Sequence, residues 1–272
     1  MMIANIVSGF SGSSLTAHTV LNRDMDRYKT MFRQDPMIAR EIEYVKENIG
    51  KVETLDELLD DYRLTKVTLS AFGLEDQQYA RAMIRKVIEE GTGNSKDFAN
   101  QLVDTRYREM SEFIRYDYER LDRLKDPEWV NQLVDKFVQN EFEKDVGAAD
   151  ESLRLAMYFE RKAPKMTSWY QIMGDKALYQ AAQKMAGLPS EVGQMDIDKQ
   201  AEIFKSKIDI KDFKNPQKMA KHLQTFLARA DAESNQAMQN PTVQLMQAAA
   251  NTGFGPLTTI DPTLFIGIKS FR

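Results

Sequence analysis

The sequence contains no cysteine. Disulfides, thiolate metal ligands and cysteine nucleophiles are excluded together. Histidine is nearly as scarce: His18 and His222 are the only two. A histidine-built zinc site or an imidazole acid–base centre therefore lacks its usual material, and no metal or cofactor is expected. No apolar run approaches the roughly 20 residues that span a bilayer, so no membrane insertion is expected. The stretch MMIANIVSGFSGSSLTAHTV has no basic residue ahead of its apolar part, which argues against a cleavable signal peptide. Positive charge is not in excess either. The chain has 37 basic and 41 acidic residues, a net charge of −4, which gives no global case for nucleic acid.

What is present is ordinary globular material: 272 residues, 42% hydrophobic and 29% charged. That suffices for one large or two modest domains with a full-sized core. The periodicity is helical nearly throughout, and the fold expected is all-α, with two related helical subdomains and low-charge N- and C-terminal tails. The expected boundaries are 1–34 for an N-terminal tail and helix, 35–147 and 148–240 for two helical units, and 241–272 for an extended tail. Residues 1–22 carry no charged side chain and read as flexible or as packing late against something else.

Asp35-Pro36 marks a helix start, and Thr54 with Glu57 forms a capping box. The spacing predicts a helix over Gln78–Glu90 and a long one from Ser95 through Leu121, with a new start at Asp126-Pro127.

One pattern exceeds this background. Arg40, Tyr44, Asp61, Leu64, Gly73 and Leu74 recur 114 residues later as Arg154, Tyr158, Asp175, Leu178, Gly187 and Leu188. Lys51 and Lys165 obey the same shift, and Thr54 is matched by Ser168. Two explanations are open: an ancient duplication, or helical pairs that share stops and caps. A further match, Asp97–Asn100 with Asp212–Asn215, needs a shift of 115. The twin aspartates read as a shared ligand site, as helix caps, or as acids facing Arg40 and Arg154.

Apparent catalytic motifs fail on inspection. GTGNSK at Gly91–Lys96 follows a helix and lacks the spacing of a phosphate loop. SGFSGSS at Ser8–Ser14 is not a nucleophile elbow. The carboxylates fall on helix surfaces at spacings suited to ion pairing.

The stretch LLDDYRLTKVTLSAFGLEDQ, followed by RAMIRKVIEEG and DFANQLVDTRY, resembles an alphaproteobacterial domain-of-unknown-function family, DUF1217, whose members are commonly encoded among flagellar genes. The resemblance is closest from Asp35 to Tyr107 and looser to Asp231. It is carried by Asp61, Leu64, Ala71 to Leu74, Arg85-Lys86 and Phe98 to Asn100. It implies a flagellar setting and supplies no catalytic residue.

The function expected is a non-enzymatic structural or assembly protein of the bacterial flagellum with a protein partner. The alternative is a cytoplasmic regulator or export chaperone, and the localisation is accordingly flagellum or cytoplasm.

Overall fold

The computed structural model describes residues 2–10 and 13–239. Every regular element among them is helical: α1 Met2–Ser8, α2 Ser14–Arg23, α3 Met25–Arg33, α4 Pro36–Asn48, α5 Leu55–Asp60, α6 Tyr62–Ser70, α7 Arg81–Glu90 and α8 Phe98–Gln101. They continue as α9 Thr105–Ile114, α10 Tyr116–Glu119, α11 Pro127–Gly147, α12 Glu151–Lys162, α13 Trp169–Gly174, α14 Lys176–Ala186, α15 Ile197–Lys207 and α16 Pro216–Gln239. Short 3-10 turns link several of them. Residues 1–230 form one unit and residues 231–272 another. The described part of the second, 231–239, is the end of α16. The expected extended tail at 241–272 lies outside the described residues.

Two apolar cores occupy the first unit. One gathers α1 to α7, α9 and α11 around Leu64, Val67, Ile84, Leu133 and Phe142. The other gathers α13 to α16 around Trp169, Ile172, Leu178, Phe204 and Phe226. The helix α12 serves both. Its Leu153 and Met157 belong to the first core and its Leu155, Ala156, Tyr158 and Phe159 to the second. Leu153 and the run Leu155 to Phe159 are buried, whereas Glu151 and Glu160 near its ends stay exposed, so the middle of the helix is interior. Each core holds one tryptophan on a parallel ring: Trp129 on Phe113 at 4.9 Å and Trp169 on Phe204 at 4.8 Å.

Of the two readings of residues 1–22, packing is the one observed. Ile3, Val7, Ala17 and Leu21 are buried in the first core. Their spacing is one face of two short helices. Asp145 of α11 accepts the Ile3 amide at 2.8 Å, so a distant carboxylate caps α1. His18 is buried on α2, with its Nε2 3.4 Å from Glu160 of α12.

The predicted starts at Asp35, Thr54 and Asp126 hold, capping α4, α5 and α11, and Ser168 caps α13 as its match to Thr54 implies. Asp150 and Asp196 likewise cap α12 and α15. The long helix from Ser95 to Leu121 does not form. Leu102 is extended, Asp104 starts α9 by accepting the Arg106 amide, and Arg115 ends it in the left-handed region at φ 52°. Asp104 and its own backbone compete successfully with helix continuation, as short polar side chains do. The apolar residues from Leu55 to Phe72 fall on two helices, because Asp61 ends α5 and caps α6. The helix expected from Gln78 begins instead at Arg81, after a 3-10 turn over Glu75–Gln77.

Leu64 is 1% exposed and Leu178 fully buried. Truncating either removes packed atoms and leaves a cavity. Leu64→Ala and Leu178→Ala are each expected to cost about 2–5 kcal/mol, read from urea unfolding midpoints with an unchanged slope.

Candidate functional site

Five of the six residue pairs resolve into two jobs. The first is a cap with a tether. Asp61 accepts the amides of Arg63 and Leu64, both at 2.9 Å, and its second oxygen takes the Tyr44 hydroxyl at 2.6 Å. Asp175 accepts the amides of Ala177 and Leu178 at 2.9 and 3.1 Å, and the Tyr158 hydroxyl at 2.7 Å. One carboxylate thus satisfies a helix start and fastens it to the helix 17 residues upstream.

The second job is a stop. Gly73 and Gly187 have φ of 71° and 64°, which costs glycine little. The following Leu74 and Leu188 donate to Leu69 and Gln183, closing each helix in the Schellman manner.

Arg40 and Arg154 share no role. Arg40 is exposed, and its carbonyl accepts from Arg63. Arg154 holds Glu151 through two nitrogens, at 2.7 and 2.5 Å. The aspartates face tyrosines, not these arginines. The match at Asp97–Asn100 with Asp212–Asn215 is not structural either: the first enters α8, whereas the second lies in a 3-10 turn over Ile210–Lys214.

The two copies differ in surroundings. Tyr44 is half-exposed, whereas Tyr158 and Asp175 are buried in the wall of a polar cleft of about 540 Å³. The loop after α6 (Gly73, Glu75, Asp76), the start of α9 (Asp104, Arg106), α11 (Asn140, Lys144) and α12 (Glu151, Arg154, Tyr158) form three sides of it. The α13–α14 junction, Gly174 to Ala177, closes the fourth.

Its charges are largely tied to one another. Arg106 grips Asp104 at 2.7–3.1 Å and also donates to the Gly73 carbonyl. Burial opposes the charge on Arg106, and Asp104 more than offsets that, holding its pKa above the ordinary value. Lys144 bridges Glu75 and Glu141 at 2.9 and 2.8 Å. Burial, followed by the charge and hydrogen bond of Asp175, pushes the Tyr158 phenol far above the usual range. Tyr158 therefore acts as a fixed donor and not as a base. Glu75 Oε2 and Asn140 Nδ2 are enclosed in the wall without a hydrogen-bond partner among the described residues.

Gly73, Arg154, Tyr158 and Asp175 were legible from the recurrence; Glu75, Asp104, Arg106, Asn140 and Lys144 were not. The Tyr–Asp pairing itself was visible as the same 17-residue spacing in both copies. Tyr158→Phe leaves a buried carboxylate oxygen unpaired and is expected to cost about 1–3 kcal/mol. Tyr44→Phe should cost less, because water can reach its site; paired urea melts measure both.

The family model described as "Protein of unknown function (DUF1217)" matches residues 71–219. A crystal structure of a protein from Agrobacterium tumefaciens is similar in fold, with a TM-score of 0.73. It is 33% identical over 83% of this chain and 94% of its own. No curated protein matches the chain.

Proposed function

The chain belongs to the DUF1217 family of proteins of unknown function, and from that premise we propose that it is a non-enzymatic structural or assembly protein of the bacterial flagellum. It would act through helix faces and terminal segments on a protein partner. The setting rests on the resemblance to a family commonly encoded among flagellar genes. The observation that carries the non-enzymatic part is the state of the cleft. Arg106, Lys144, Arg154 and Tyr158 are each committed to a carboxylate, whereas acid–base chemistry needs a group free to exchange a proton.

Several large side chains support a partner-binding role. Met37, Tyr62, Tyr79 and Tyr118 are 60–87% exposed, and Tyr and Met are enriched where proteins meet. An internal duplication is proposed with the same reading, since the two tethered caps and two glycine stops keep one 114-residue shift.

Fractionation of motile cells tests the assignment. Enrichment of the protein in washed filaments or hook–basal bodies is the expected result. A pool confined to the cytosol would overturn it in favour of the regulator or export chaperone.

A further inference from the structure

A cluster of positive charge stands beside the cleft, in a chain whose net charge is −4. The elements α9, α11 and α12 build it. On α9, Glu109 and Phe113 lie one turn apart on one face. The ammonium of Lys136, from α11, sits 5.3 Å above the Phe113 ring and 5.6 Å above Phe72. Glu109 holds Lys162 of α12, whose side chain is buried. Lys165 follows at the end of the 3-10 turn after α12 and is exposed. Arg161, on the preceding turn, is fastened to the buried Glu143. Four cations thus meet three carboxylates, Glu109, Glu143 and, by its charge on Lys162, Asp175, and Lys136 and Lys165 have no ion-pair partner among the described residues.

The arrangement acts against its own charges. Burial, then Lys165 and Lys162, draw the Lys136 ammonium below its ordinary pKa, and Glu109 only partly opposes them. Lys162 is lowered as well, by burial first, despite Glu109. Like charges held together at a cost are relieved by an incoming anion.

We propose that Lys136 and Lys165, backed by Lys162 and Arg161, form a recognition surface for an acidic segment of a protein partner. This rests on the partner-binding reading above for its biological setting. Phosphate sites usually add free backbone N–H groups at a helix start or nest to their cations. The cations themselves sit at no helix start. Lys136 is in the interior of α11, Lys162 ends α12, and Lys165 ends the following turn. Helix ends of this polarity present carbonyls, which suit the lysines and disfavour a compact, multiply charged anion. Carboxylates spread along a chain reach separate ammonium groups one at a time. Although the protein is acidic overall, the local excess of cations at this face steers such a partner to it.

The test is fluorescence anisotropy of a labelled glutamate-rich peptide with the full chain at low ionic strength. Lys136→Glu with Lys165→Glu should weaken binding by about tenfold or more, the scale of two lost surface ion pairs. The control, Lys66→Glu with Lys199→Glu, makes the same change in net charge at exposed positions elsewhere and should leave affinity nearly unchanged. Lys165→Glu alone, at an exposed turn, should give part of the loss with an unchanged circular dichroism melt. Equal weakening in both double variants, or none in either, would overturn the proposal. So would displacement of the peptide by inorganic phosphate well beyond that by chloride at matched ionic strength. Because the peptide assay is done on purified protein, its outcome is independent of where the protein fractionates in cells.

Discussion

The burial of α12 on both sides is the constraint on which the rest depends. A single helix of twelve residues, Glu151–Lys162, contributes Leu153 and Met157 to one core and Leu155, Ala156, Tyr158 and Phe159 to the other. Neither core is closed without it. Removing it would expose apolar surface in both directions, at roughly 25 cal/mol per Å² uncovered. The cleft follows from the same geometry. It lies where α12 meets α9, α11 and the α13–α14 junction, and the hydroxyl of Tyr158 bonds Asp175 within its wall. The cationic cluster is the continuation of this helix, with Lys162 as its last residue.

Local chemistry explains why parts of this fold were readable in the sequence. Asp35-Pro36, Thr54-Glu57 and Asp126-Pro127 each settle a helix start within four residues, and the glycine stops do the same at Gly73 and Gly187. Such signals act over one turn and need no tertiary partner. The misreadings come from interactions between distant residues. Asp104 looked like the interior of a long helix, yet it caps α9 and holds Arg106, which reaches the carbonyl of Gly73. Residues 1–22 lacked charge, which pointed equally to a tail and to a packed segment. The decision belonged to Asp145, more than a hundred residues away in sequence, which caps α1. The cleft was legible only where the recurrence touched it, because its remaining polar residues come from three other places, the loop after α6, the start of α9 and α11.

The recurrence has a physical interest of its own. In both copies one aspartate binds two backbone amides and one phenol. In the second copy that unit is sealed inside the cleft wall, and in the first it stays half-exposed. The same device therefore serves as a plain surface cap in one place and as a cleft-forming tether in the other. Arg40 and Arg154, which share only the shift, show that identity at matched positions does not by itself mean shared work.

The most direct test of α12 as the common wall uses the two tryptophans, one in each core. Labelling with 5-fluorotryptophan gives one ¹⁹F resonance for Trp129 and one for Trp169 in the same sample. Through a urea titration the two native resonances should vanish together, with a common midpoint and slope, as a single cooperative unit requires. Loss of the Trp169 resonance while that of Trp129 persists, or the reverse, would contradict the account, because the cores would then stand without each other and without a shared helix.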